Sequence, residues 1–297
     1  MIDSKLKRSL INSYNFEIAI DPILTLLTQS SPFFEGKVFA KNSRIVVYRG
    51  GKKLDHPGFY DECQIMGALP PYKQTETDLL SSLKLKERKW EKLIKKVNPN
   101  INFRELYPYS LDISWNPVKI NKHGTLEQRG LDVNYMSTMF AVSALIKFTL
   151  KKIQRDFIEV IPADLGISDS FKIRKGIMFI PPHTYVRKKL QKASAYEGFA
   201  NKELYEYTKR FFRLAKSLAP KYYLPLIKKI EIMIKKKRSL SDEMLTLAKR
   251  KGWVDKKGKI SYKHAKEFGC YYSEKFEKDL IETKQIVTKI MEEHKKI

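Results

Sequence analysis

Between residues 124 and 157 the chain changes its period. Gly124 to Leu131 alternates its side chains as a strand does, and Asp132-Val133-Asn134 then leads into Ser137 to Phe157. In that second run apolar residues return at Phe140, Ala144, Ile146, Phe148, Leu150 and Ile153, the spacing of one long buried-face helix with Asn134 or Ser137 as its cap. A strand there passes straight into a long helix.

Other segments extend this reading. Phe16 to Thr28 is expected to be a short helix that Pro22 starts, ended by Gln29-Ser30-Ser31-Pro32. Phe33 to Gly51 looks strand-like, with Ile45-Val46-Val47-Tyr48 stopped by Gly50-Gly51, and His56 to Tyr72 reads as a Pro/Gly loop. Thr77 to Val97 has the spacing of an amphipathic helix. Tyr109 to Trp115 and Gly124 to Leu131 are expected as strands joined by the turn-forming stretch Asn116 to Lys122. Tyr185 to Leu218 and Leu240 to Lys251 look helical, and Glu267 to Ile297 reads as a charged helix laid on the surface.

Composition narrows the class. With 297 residues, 42% of them apolar, the chain can bury a core as one large domain or two ordinary ones. Its net charge of +25 attracts polyanions at low salt. The excess is mostly lysine smeared along the chain, which favours a solvated surface over a dedicated nucleic-acid groove. Cys63 and Cys270 form no C-x-x-C pair, so neither a zinc site nor a disulfide framework is indicated. The N-terminal stretch has no apolar core of a secretory signal, and Met136 to Leu150 is too short for a bilayer and carries Lys147. A cytoplasmic protein without membrane contact is expected.

The densest chemical signal is Gly124-Thr125-Leu126-Glu127-Gln128-Arg129-Gly130-Leu131-Asp132. Strand alternation puts Thr125, Glu127 and Arg129 on one face. A carboxylate there offers a hard oxygen ligand to magnesium, and a guanidinium grips phosphate or carboxylate oxygens in two-point fashion. The same spacing also fits an ordinary exposed ion pair across a strand. Other residues carry weaker signals. His56, His123 and His183 are scattered singly, and Cys63 reads as an ordinary thiol. Trp90 and Trp115 are expected in the core or at the rim of a cleft. The Tyr205, Tyr207, Phe211, Phe212 cluster is either core or a base-stacking platform.

Four blocks in order carry a family resemblance. Glu127-Gln128-Arg129-Gly130-Leu131-Asp132 is similar to the E-x-R-x-x-D segment of the carboxylate-amine ligases, the second family of glutamate–cysteine ligases, relatives of glutamine synthetase. Ser30-Ser31-Pro32-Phe33-Phe34-Glu35-Gly36 resembles that family's ANSPF-x-G block, with Ser43-Arg44 at the spacing of its Ser-Arg pair. Leu111-Asp112-Ile113 resembles the strand before the motif, and Arg187 and Lys192 are placed like the paired basic residues of its R-x-x-x-x-R-x-G helix. Lys192 stands where the family has arginine. The resemblance spans roughly residues 20 to 220.

It implies an α+β fold, a twisted antiparallel sheet cradle backed by helices, with a partial catalytic domain over 1–220 and a helical extension over 221–297. The implied activity is ATP-dependent amide-bond formation between a glutamate-type γ-carboxylate and an amine. Position by position, Glu127 would ligate magnesium, Arg129 and Thr125 would contact the nucleotide phosphates, and Arg129 and Arg44 would act in catalysis. Ser43, Arg187 and Lys192 would bind the acidic substrate. ATP and magnesium are the implied cofactors. The family's leading glutamate-x-glutamate strand and histidine-x-histidine block have no counterpart here, so the chain corresponds to the carboxyl-terminal two-thirds of such a ligase. The implied partner is then a separate chain that supplies the strand, or a second copy. The alternative is a non-catalytic basic protein that binds nucleotide, acidic metabolite or nucleic acid.

Overall fold

Thr75 begins one of the longest helices by closing both ends of a capping box. Its hydroxyl accepts from the Asp78 amide at 3.1 Å, and the Asp78 carboxylate accepts from the Thr75 amide at 3.1 Å. These bonds satisfy amides that a helix start otherwise leaves without partners. Removing the hydroxyl in Thr75→Ala should cost about 1 kcal/mol, read as a lower urea midpoint with an unchanged slope.

The computed structural model describes residues 4–164 and 166–295. The fold is α+β, about 63% helical, with three small sheets among the described residues, so its cores are built largely by helices and its strands are local. Among the described residues no helix is long and apolar enough to cross a membrane. The chain divides into two compact units. The first comprises Met1–Asp21, Ile45–Gly130 and Ile153–Lys192, and the second Pro22–Arg44, Leu131–Lys152 and Ala193–Ile297.

In the first unit, Glu159–Pro162 runs parallel to Ile177–Ile180, which pairs antiparallel with Ile173–Arg174. Buried Tyr14, Phe16 and Ile18 help form the core, with Phe16 edge-on to Phe171 at 6.4 Å. A hairpin pairs Val118–Ile120 with Leu126–Gln128. A smaller core gathers Cys63, Met66, Phe103 and Ile113, against which Trp90 packs.

In the second unit, Phe33–Phe34 and Lys37–Val38 form a short hairpin. Helices Lys202–Leu218, Leu224–Lys236, Leu240–Arg250 and Tyr262–Lys295 follow one another. Leu240, Met244, Leu247, Trp253 and Tyr272 form a core on which Phe33 and Tyr135 also pack. The amide of Ser137, in the first turn of helix Met136–Arg155, donates to Asp279 Oδ2 at 3.0 Å. An anion at a helix start is electrostatically favourable.

Several expected elements come out differently. Pro22 lies inside a helix that runs Ser4–Leu27, not at its start. The helix extends back beyond Phe16 because residues before it, Ile11 and Tyr14 among them, are buried. Ile45-Val46-Val47-Tyr48 belongs to helix Ser43–Arg49, not a strand, because Ile45, Val46 and Val47 are all buried and the helix gives them that burial. Tyr109 to Trp115 is irregular around a single turn, Ser110–Asp112. The partner of the Leu126–Gln128 strand is the stretch that had looked like a connecting turn. The expected helix Tyr185 to Leu218 is interrupted near Gly198, whose φ of 62° is left-handed, a conformation that glycine adopts without steric cost. The C-terminal helix Tyr262–Lys295 begins earlier than expected; residues 296 and 297 lie outside the described residues.

Candidate functional site

The motif strand owes its position to the turn before it. Asn121 Oδ1 accepts from the amides of His123 and Thr125 at 2.9 and 3.2 Å, and Gly124 takes a left-handed φ of 74°. The resulting register sets Lys119 opposite Glu127. Gln128 turns inward, its Nε2 donating to the Glu17 carbonyl at 3.5 Å and its Oε1 accepting from the Gly130 amide at 3.1 Å. Arg129 Nε lies 3.2 Å from Glu127 Oε1, and its guanidinium sits 4.5 Å from the centre of the Trp115 ring. The side chains of Glu127 and Arg129 are 38% and 27% exposed, so solvent and solutes reach the pair, and it contributes little to stability. Burial, and next Arg129, lower the pKa of neighbouring Lys119, whose Nζ donates to the Leu111 carbonyl at 2.8 Å. Thr125 is exposed in the turn, its carbonyl accepting from the Asn121 amide at 3.0 Å.

Residues from three motif blocks meet within the second unit. Asp132 Oδ2 accepts from the Ser30 amide at 3.1 Å and from the Ser31 hydroxyl at 2.7 Å. The Ser43 amide donates to the Ser31 carbonyl at 2.9 Å, the Arg44 amide to Ser31 Oγ at 3.4 Å, and Arg44 Nη1 to the Leu131 carbonyl at 2.9 Å. Asp132 and Ser43 are each 2% exposed, yet Asp132 Oδ1 and Ser43 Oγ have no hydrogen-bond partner among the described residues. Burial raises the Asp132 pKa against the pull of the Ser31 and Ser30 hydrogen bonds and the Arg44 charge. Arg44 is exposed, where a guanidinium can meet a carboxylate, whereas the two orphaned oxygens are buried out of reach of solvent.

The remaining sequence candidates separate. Arg187, on the π-helical turn Val186–Leu190, borders a cavity in the first unit, and burial lowers its pKa. Lys192 Nζ instead pairs with Asp55 at 2.5 Å, both side chains well exposed. Cys63 is buried with its thiol pKa raised by that burial, and His123 is exposed in the hairpin turn. Tyr207, Phe211 and Phe212 are buried, so that part of the aromatic cluster is core; Tyr205 is partly exposed beneath Lys237, 4.4 Å from its ring centre.

Two charged groups in the first unit were not legible as candidates. Asp21 and Arg49 form a fully buried bidentate pair, with Nη2 to Oδ1 at 2.8 Å, and Glu17 lies near with its pKa raised to about 7 by burial and then by Asp21. Gly130 is the residue that fits here. A Cβ on it would come within 2.4 Å of Asp21 Oδ1 and 2.6 Å of Arg49 Nη2. Reading Ser43–Arg49 as a helix would have put Arg49 one turn from buried Ile45. The second group, Lys73 and Lys86, lines the Arg187 cavity. Its signal was a lysine at position 86 in register with Leu79, Leu83, Trp90 and Leu93.

The chain matches no family model, no curated protein and no solved structure.

Proposed function

We propose that the chain is an ATP- and magnesium-dependent carboxylate-amine ligase of the glutamate–cysteine ligase type, joining a glutamate-like γ-carboxylate to an amine. The observation that carries this reading is the meeting of Ser31, Ser43-Arg44 and Leu131-Asp132 in the second unit. Blocks that the resemblance treats as functional, about 100 residues apart in sequence, share one hydrogen-bonded cluster. The cradle that the resemblance implies would be built around the Val118–Ile120 and Leu126–Gln128 hairpin.

The donor set fits magnesium in a restricted way. Among the described residues no three histidine, cysteine or carboxylate side chains gather to hold a metal. Glu127 offers one hard carboxylate ligand, which suits a magnesium ion that takes its other ligands from phosphates and water. Bound magnesium would neutralise phosphate charge; bound nucleotide would supply the phosphoryl group that activates the carboxylate.

The chain's own groups then position and stabilise. Arg129, held over Trp115, presents a guanidinium that can follow charge developing on a phosphate oxygen. Thr125 offers a hydroxyl in the exposed turn. Arg44, whose Nη1 is steadied by the Leu131 carbonyl, brings an exposed guanidinium that can pair with a carboxylate. Arg187 and Lys192 keep the acidic-substrate role that the resemblance implies.

The test is phosphate release from ATP with glutamate and a panel of amines. The wild-type chain is expected to show amine-dependent release. Arg129→Ala and Glu127→Ala should each lower it by about 10²-fold or more, the scale of losing one charge-stabilising group. Release that needs no amine, or that both substitutions leave unchanged, would overturn the reading.

A further inference from the structure

Helix Glu76–Val97 carries an apolar stripe, and position 86 falls on it. Lysine stands there, 6% exposed, and Lys73 is equally buried. Both line a cavity of about 310 Å³ whose polar wall also holds Ser82 and Arg187, and whose apolar wall includes Leu69 and Pro70. Among the described residues no carboxylate lines it. Among the described residues Lys73, Lys86 and Arg187 enter no ion pair.

Their hydrogen bonds are to neutral acceptors. Lys86 Nζ donates to Asn116 Oδ1 and Lys73 Nζ to Ser82 Oγ. An ammonium has three N–H donors, so each lysine keeps donors that these bonds do not use. Asn116 is fixed in place, its Nδ2 donating to the Ile65 and Ala68 carbonyls at 3.0 and 2.6 Å. Asp78 is the carboxylate whose field reaches Lys73, but it is engaged in the helix cap, accepting from the Gln74 and Thr75 amides at 3.2 and 3.1 Å.

Burying cations without counter-charges is unfavourable, and sites that do so are enriched where a ligand supplies the compensation. The strain is visible in Lys86, whose ammonium is pushed down to about 8 by burial first and by Lys73 and Lys119 next. Burial lowers Lys73 and Arg187 as well.

We propose that this cavity binds a small multivalent oxyanion, a di- or tricarboxylate or a phosphate compound, held by Lys73, Lys86 and Arg187. The arginine fork supplies a two-point contact and the lysines supply point charges. The volume is at the lower end of the range for small-ligand pockets, which favours a compact anion over a nucleic acid. Arg187 is also the residue to which the ligase reading gives the acidic substrate, but anion binding in this cavity needs no turnover, and a chain with none would still show it.

The experiment is titration calorimetry of the full chain at low salt with pyrophosphate and, separately, with citrate. It compares wild type with Lys86→Gln and with Arg187→Gln, each first checked for an intact unfolding transition. One-to-one saturable binding of at least one probe is expected, about tenfold or more weaker in each variant. Preference for pyrophosphate identifies the phosphate class, and preference for citrate the carboxylate class. If neither probe saturates, or if both variants bind as wild type does, the anion is only attracted to the +25 surface and the proposal is wrong.

Discussion

Arg49→Leu is expected to destabilise the protein by about 3–5 kcal/mol, the largest loss among single substitutions considered. Arg49 and Asp21 are buried together, 5% and 0% exposed, in a two-point contact. Removing the guanidinium leaves the Asp21 carboxylate without its counter-charge inside the first unit, close enough to Glu17 to raise the pKa of that residue. Replacing both members, Asp21→Leu with Arg49→Leu, should recover most of the loss, because two apolar groups need no mutual neutralisation. Urea unfolding of the two single variants and the double variant measures this directly. A single-variant loss under about 1 kcal/mol would mean that water reaches the pair.

Glu17→Gln is expected to stabilise the protein, and only above acidic pH. Glu17 is 3% exposed and its Oε2 has no hydrogen-bond partner among the described residues. Burial first, and Asp21 second, raise its pKa from 4.5 to about 7. Below pH 4.5 the folded and unfolded states are both protonated and the carboxyl imposes no penalty. Between 4.5 and 7 the unfolded chain gives up the proton while the folded chain keeps it, so stability falls as pH rises. Above 7 the buried group is charged, and the penalty levels off at about 3 kcal/mol. The glutamine variant lacks this penalty. Its advantage should be near that value at pH 8 and vanish by pH 4, as read from unfolding midpoints across pH. An advantage independent of pH would remove the titration of Glu17 as its cause.

What could be read in advance was what repeats locally. The apolar spacing of Thr77 to Val97 and Ser137 to Phe157 gave helices that the structure has at Glu76–Val97 and Met136–Arg155, because a 3.6-residue period serves few other purposes. The strand at Glu127 followed from alternation. Its pairing did not, since Val118–Ile120 carries too few residues to stand out from the turn around it. Ile45 to Tyr48 shows the opposite failure. Three β-branched residues and a tyrosine have strand propensity, but burial of Ile45, Val46 and Val47 outweighs preferences worth fractions of a kcal/mol per residue.

The candidate sites divide along the same line. Glu127 and Arg129 were legible because two residues of separation on a strand places side chains together. Ser31 and Asp132 were legible as motif members, and their contact is a tertiary fact. Arg49, Glu17 and Lys73 gave no signal, and Lys86 gave only its place on an apolar stripe, because a charged residue type is ordinarily exposed and local sequence does not report burial. Residue order by itself determined the helical periods, the strand that leads into the long helix, and the excess of positive charge. The tertiary structure alone decided which charges lie in water and which are buried, since removal from solvent depends on every chain segment that packs around a group.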